Sequence, residues 1–400
     1  MTADSYSLPL LPTSDPGLLL DLLESRLQVG RLRITLPSGS SRLLEGKHPG
    51  PQAEMVVRHL RAFRRFVTGG AIGLAESYMD GDWDSPDLAA LLELGDNNNR
   101  ASGTAARGRR LLRSLNRLWH RLRDNNRRGS RRNIAAHYDL GNDFYRLWLD
   151  PGMTYSAALY GDGELNLEAA QQAKYHALAR DVGLRPGMTV LEIGCGWGGF
   201  AEIAARDYGA SVVGLTLSRE QHAWASDRLA RAGLAGQTDI RLQDYRDVSG
   251  QFDAIVSIEM IEAVGERWWP VYFQTLRDRL KPGGKAGLQA ITIADERFPD
   301  YRRHCDFIQR HVFPGGMLPS PAALAEHATG AGLSIRQTRH FGMDYERTLA
   351  EWQSAFDASW PHIAAQGFDE RFRRLWCFYL AYCRAGFRTG SIDVRHMVLS

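Results

Sequence analysis

The run Val190-Leu191-Glu192-Ile193-Gly194-Cys195-Gly196-Trp197-Gly198-Gly199 most constrains how this chain can fold. Apolar, strand-forming residues lead into a turn with glycine at 194, 196, 198 and 199. An amphipathic helix then follows from Phe200 through Tyr208. Glycine is needed where the backbone must turn sharply and let a ligand approach with no Cβ in the way. The spacing E-x-G-x-G-x-G is neither the dinucleotide G-x-G-x-x-G nor a phosphate loop ending in G-K-[ST]. In a strand–turn–helix setting it points to a nucleotide-type cofactor, with close packing as the competing explanation.

From about residue 165 to 295 the pattern alternates strand and helix, with strands expected at 189–193, 211–216, 239–243, 254–258 and 286–292. That calls for an α/β, doubly wound, Rossmann-like sheet that binds ligands at the carboxyl ends of its strands. A mostly helical section with three proline-bearing turns follows. Its first part, about 295–330, is expected as an α-helical cap insertion over the cofactor site that builds a substrate channel.

Four hundred residues are too many for one typical domain. Residues 1–95 read as a small N-terminal α+β domain, with helices at 17–27, 55–67 and 71–79 and a strand at 31–36. Residues 96–132 read as a basic linker helix and 133–400 as the catalytic domain. No stretch of about 18 apolar residues is present, and the N-terminus lacks the pattern of a secretory signal. The cysteines at 195, 305, 377 and 383 are too scattered for a disulfide framework or a CxxC pair. A cytoplasmic location is expected. His304, Cys305 and His311 fit no usual zinc spacing, so no metal is expected.

The charge is uneven. Between residues 100 and 132 there are twelve arginines against one acid, Asp124. Leu111, Leu115, Leu118 and Leu122 recur there at helical spacing beside Trp119. A basic amphipathic helix with an apolar edge suits an anionic membrane surface, and a solvated connector is the alternative. No stacking platform or base-reading motif accompanies the charge, so nucleic acid is not an expected partner.

Further segments narrow the reading. They include His137-Tyr138-Asp139-Leu140-Gly141-Asn142-Asp143-Phe144-Tyr145, Met153-Thr154-Tyr155-Ser156, Gly214-Leu215-Thr216-Leu217-Ser218 and Gln243-Asp244-Tyr245-Arg246-Asp247. Others are Ser257-Ile258-Glu259-Met260-Ile261-Glu262-Ala263-Val264-Gly265, Phe313-Pro314-Gly315-Gly316, Phe341-Gly342-Met343-Asp344-Tyr345 and Phe378-Tyr379-Leu380-Ala381-Tyr382-Cys383. The glycine run resembles motif I of the S-adenosylmethionine-dependent methyltransferases. The whole set, in this order from about residue 55, resembles the cyclopropane-fatty-acyl-phospholipid synthases and the related mycolic acid methyltransferases. Residues 75–83 resemble the N-terminal domain of the bacterial synthases.

The resemblance implies S-adenosylmethionine as cofactor. Tyr155 and Ser156 would touch its methionine part, and Glu192, Gly194, Cys195, Gly196, Trp197 and Gly198 would wrap its amino acid and ribose. Thr216 and Gln221 would hold the ribose end, where the second strand brings no carboxylate. Asp244, Tyr245 and Arg246 would flank adenine. The substrates implied are unsaturated acyl chains of phospholipids at an anionic membrane surface, and the bacterial synthases suggest a homodimer.

An isolated alkene is a poor nucleophile. Methylating it leaves a carbocation, so the site needs a base near the new methyl group and dry aromatic walls. The resemblance implies a bound bicarbonate as that base, held by a Glu, a Tyr, a His, a Cys and backbone groups. Glu262 and Tyr345 stand at the Glu and Tyr positions, but Ala157 replaces the Cys and Gln289 the His. Gln289 still donates hydrogen bonds but carries no titratable charge. Cys383 matches a C-terminal active-site cysteine and is expected near the cavity wall. With these departures, the alternative to a cyclopropane is a methylene- or methyl-branched chain from the same cation. More distant rivals are a small-molecule oxygen or nitrogen methyltransferase and a binding module without catalysis.

Overall fold

The computed structural model describes residues 16–101, 125–127, 129–130, 140–161, 163 and 165–400. They form two compact units. One takes the described residues up to Ala101 together with Glu370–Ala385; the other runs from Asn125 to Asp369 and resumes at Gly386. Most of the basic segment expected as a linker helix lies outside the described residues.

In the first unit, β1 (Val29–Thr35), β2 (Ser41–Glu45), β3 (His48–Val57) and β4 (Trp83–Asp84) form a sheet of order β2-β1-β3-β4. The helix expected from residue 55 starts only at Arg61 and runs to Met79. Ala53, Met55 and Val57 are buried while Glu54 and Val56 are exposed, so a period of two holds this stretch as the end of β3. Gly70 (φ +61) then kinks the helix near the expected break.

The helix Leu88–Ala101 takes in Asn97, Asn98 and Asn99, which the composition assigns to a linker. Asn98 is a clamp: its Oδ1 accepts from the N–H groups of Gln28 and Val29 at 2.7 and 3.0 Å, and its Nδ2 donates to Val29 O at 2.9 Å. Glu370–Ala385 joins this unit through Arg374, which donates to Trp83 O at 2.7 Å and lies 4.0 Å over the Tyr78 ring. Local periodicity carries no sign of an attachment across some 290 residues.

In the second unit, β5 (Thr189–Ile193), β6 (Ser211–Thr216), β7 (Thr238–Leu242), β8 (Phe252–Ile258), β9 (Leu280–Ile293), β10 (Ile335–His340) and β11 (Ile392–Leu399) give the order β10-β11-β9-β8-β5-β6-β7. The strands β5 to β9 run parallel, while β11 is antiparallel to both β9 and β10. Val190, Ala254 and Val256 face a core with Leu178 and Phe200. Leu191 and Ile255 face a second core with Trp269, Tyr272 and Phe273. β5 and β8 are thus buried on both faces, and each large apolar side chain so buried contributes roughly 1.5–3 kcal/mol. This is the doubly wound architecture expected, with helices inserted after β9 and again after β10. No described helix is long and apolar enough to cross a membrane.

Candidate active site

β5 delivers Glu192 to its carboxyl end, and the chain then turns through Gly194, Gly196 and Gly198, all at positive φ. The N–H groups of Gly194 and Cys195 both donate to Leu215 O at 2.9 Å, which fixes the loop on β6. A Cβ on Gly194 would lie 2.9 Å from the Met260 side chain, whereas one on Gly196 would find no protein atom within 4 Å. Gly196 therefore leaves a side open to a ligand. Glu192 is buried, and its Oε2 has no hydrogen-bond partner in the protein. Burial pushes its carboxyl up to about 8 against the pull of Arg228, the Ala201 N–H and Lys174. An orphaned buried oxygen beside an open glycine cradle fits the ammonium-bearing end of S-adenosylmethionine.

Thr216 Oγ1 donates to Gln221 Oε1 at 2.9 Å, joining the two residues expected at the ribose end. The Ser218 side chain caps the helix Arg219–Arg231 and so sets the position of Gln221. The Asp244 carboxylate is taken up by Arg246, with Nε–Oδ1 at 2.9 Å and Nη2–Oδ2 at 2.7 Å. That buried pair leans on Trp268, whose ring centre is 5.1 Å from the guanidinium carbon. The Tyr245 ring turns into the core against Tyr272, with centroids 5.6 Å apart. A polar adenine edge would meet this segment through the Asp244–Arg246 pair.

Tyr155 lies in an aromatic wall with Tyr145, Trp148 and Trp352, centroids 5.2–5.5 Å away, and Phe313 stacks at 6.5 Å. Trp197 extends the wall against Tyr145 at 5.2 Å, its Nε1 donating to Asn142 Oδ1 at 2.7 Å. Ser156 Oγ accepts from the buried Lys174 Nζ at 2.6 Å. Burial draws Lys174 down to about 7, opposed by the charges of Glu259, Asp150 and Glu192.

The centre of the polar network is Glu259, just beyond the end of β8. Its Oε1 accepts from the Ala157 N–H at 2.8 Å and from Gln289 Nε2 at 2.7 Å. Its Oε2 accepts from the Tyr345 hydroxyl at 2.8 Å. The register explains how they meet: the Glu259 N–H donates to Gln289 O at 2.8 Å, and Gln289 pairs across to His396 on β11. His396 Nε2 is 2.9 Å from Gln289 Oε1. Burial raises the Glu259 carboxyl, and its hydrogen bonds and Lys174 hold it back. Glu262 Oε1 accepts the Ile291 N–H, while its Oε2 has no partner in the protein. Burial, followed by the charge of Glu259, pushes the Glu262 carboxyl up to about 8.

Tyr345, Gln289 and Ala157 thus converge on the carboxylate of Glu259, which sequence reasoning passed over, and Glu262 is not the group they meet. The available signal was the place of Glu259 at the carboxyl end of a parallel strand, where such sheets put ligand-facing groups. Lys174 and His396 were also missed, lying on a helix and a strand with no motif of their own. Cys383 is a half-buried thiol on the helix Glu370–Arg388, in the stretch that belongs to the first unit.

The sequence pattern of the mycolic acid cyclopropane synthetase family matches residues 125–397. The chain belongs to that family. Within it, the chain is 41% identical over 84% of its length to tuberculostearic acid methyltransferase UfaA1 of Mycobacterium tuberculosis, covering 80% of that protein. It is 38% identical over 87% of its length to the cyclopropane-fatty-acyl-phospholipid synthase of Escherichia coli, covering 88% of it. Among solved structures, mycolic acid cyclopropane synthase CmaA1, complexed with SAH and CTAB, superposes with a TM-score of 0.64 at 32% identity. That match covers 67% of this chain and 97% of the other. A member of this family is an S-adenosylmethionine-dependent methyltransferase, and the loop around Glu192 and Gly196 has the shape such a cofactor needs.

Proposed function

We propose that this enzyme methylates the double bond of unsaturated acyl chains in phospholipids and closes the product to a cyclopropane. The observation that carries the reading is the aromatic wall of Tyr155 and Trp352, continued by Tyr345 (centroids 6.1 Å from Trp352), whose hydroxyl reaches a carboxylate. When bound, S-adenosylmethionine supplies an electrophilic methyl group. Glu192, the glycine loop, and Thr216 with Gln221 hold and orient it. The ring faces stabilise positive charge on the acyl chain and keep water away from it. Burial and the charge of Glu259 favour the neutral form of Glu262, which limits negative charge at the site.

A second reading shares every step up to the cation. If a hydride migrates before proton loss, the product is a methylene-branched chain, which a separate reductase would convert to a methyl branch. Ala157, Gln289 and the 41% identity to a tuberculostearic acid methyltransferase favour it. Incubation with methyl-labelled S-adenosylmethionine and liposomes of monounsaturated phospholipid, followed by mass and NMR analysis, separates ring from branch. Cofactor binding with no labelled lipid would overturn both. The arginines between residues 100 and 132 are the part of the chain suited to an anionic headgroup surface, with the enzyme peripheral to the membrane and paired as a homodimer.

A further inference from the structure

The family resemblance calls for a bicarbonate between a Glu, a Tyr, the residue at position 289, the residue at 157 and the backbone. The donors this chain offers there are already taken. The Ala157 N–H, Gln289 Nε2 and the Tyr345 hydroxyl all point at the two oxygens of Glu259, at 2.7–2.8 Å. The backbone N–H of Ile291 goes to Glu262. A planar carboxylate on a tether therefore sits in the arrangement a planar carbonate needs, and a free anion would have to displace it and face its charge. Bicarbonate does not fit this donor set.

We infer that Glu259 is the resident base of the reaction and that the enzyme works without bicarbonate. This rests on the methyl-transfer reading. Oε1 already accepts two hydrogen bonds and Oε2 one, which leaves a lone pair on Oε2 for a proton. In the step, a C–H bond of the transferred methyl breaks and its proton goes to Glu259 Oε2. The freed electron pair forms the third C–C bond of the ring at the cationic carbon. If a hydride has already moved, the same pair becomes the double bond of a methylene group. The acyl product is neutral in both cases, and the proton passes from Glu259 to solvent before the next turnover.

The backbone supports the assignment. Glu259 has φ +48, and among the described residues the only other non-glycine at positive φ is Met153. A side chain held in the left-handed region is strained relative to glycine. That strain aims the carboxylate back at Gln289 and Tyr345. A glycine here would relax the backbone and empty the anion site.

The test uses the purified full chain and two variants, Glu259→Gln and Glu259→Gly, with 13C-bicarbonate as probe. Wild type is expected to show no saturable bicarbonate binding by NMR titration and unchanged methylation in CO2-stripped buffer. Glu259→Gln should lose roughly 100-fold or more in kcat, the usual range for a general base, with cofactor affinity unchanged. Glu259→Gly, unstrained at this φ, should bind bicarbonate and regain activity when it is added. Saturable bicarbonate binding to wild type, loss of turnover on stripping CO2, or near-normal kcat in Glu259→Gln would overturn the inference. If no lipid is labelled under any condition, the methyl-transfer reading fails. The binding comparison between wild type and Glu259→Gly still decides who occupies the anion site.

Discussion

His396 Nε2 lies 2.9 Å from the amide oxygen of Gln289, and this contact fixes which way the Gln289 amide faces. Arg339 Nη1 approaches His396 Nδ1 at 3.4 Å, so Nδ1 accepts and Nε2 carries the proton. Gln289 must then present its oxygen to His396 and its NH2 to Glu259. Arg339 is itself held by Asp181 at 3.0 Å. A chain of fixed donors thus runs from the back of the sheet to the carboxylate.

Removing that constraint should misplace the amide. His396→Phe leaves Gln289 Oε1 buried without a donor, a loss of about 1–3 kcal/mol of stability. We expect kcat to fall roughly tenfold, the effect of about 1.4 kcal/mol, with the KM for S-adenosylmethionine unchanged. Steady-state kinetics and a thermal melt measure both. Burial, followed by the charges of Arg339 and Lys174, drives the His396 pKa down to about 3. The unfolded chain therefore binds a proton that the native one refuses, and stability falls as pH drops from the ordinary histidine value towards 3. The variant loses that part of the acid sensitivity.

Glu192 and Glu262 act in the opposite direction. Both carboxyls are pushed up to about 8, so the native state keeps their protons where the unfolded chain gives them up. Their contribution to stability is full below the ordinary carboxylate range and is lost as pH rises through about 8. Tm should decline across that window, by roughly 2–4 °C for each kcal/mol, and Glu262→Gln should flatten the decline. Glu192→Gln should do the same while weakening S-adenosylmethionine binding about 10- to 150-fold, the 1.5–3 kcal/mol of a hydrogen bond to a charged group. Scanning calorimetry over pH and a binding titration check the two effects.

Gly196 separates cofactor binding from folding. Its φ of +52 makes alanine strained by roughly 1 kcal/mol, but the added Cβ meets no protein atom. Gly196→Ala should therefore melt within a few degrees of wild type and bind cofactor at least tenfold more weakly. Gly198→Ala also places a Cβ 3.1 Å from that of Ala225, so it should lose more in Tm, as overpacking costs about 1–3 kcal/mol.

Tyr155 tests the ring wall. Tyr155→Phe keeps the face and should retain most of kcat. Tyr155→Leu removes a cation–π contact worth up to about 2 kcal/mol when desolvated, so kcat should fall roughly 10- to 30-fold with little change in cofactor affinity. Equal activity in the two variants would remove the ring from the account of the cation.

The glycine run and the strands around it were legible in the sequence because their causes are local. A buried parallel strand needs a continuous apolar run, and a sharp turn under a ligand needs glycine. Those two facts placed β5, β6, the loop and Glu192 almost to the residue. Local patterns failed where a contact from elsewhere took over: Asn98 looks like linker composition until β1 supplies the groups it clamps. Arg374 gives no hint that it anchors a helix on Trp83. The composition of the active site divides in the same way. Tyr345, Gln289 and Ala157 could be listed from motifs, but their common target could not. Only the pairing of β8, β9 and β11 brings Glu259 beneath Gln289 and His396 behind it. A hydrogen-bond network depends on distances between strands far apart in sequence, and a linear pattern holds no such distances.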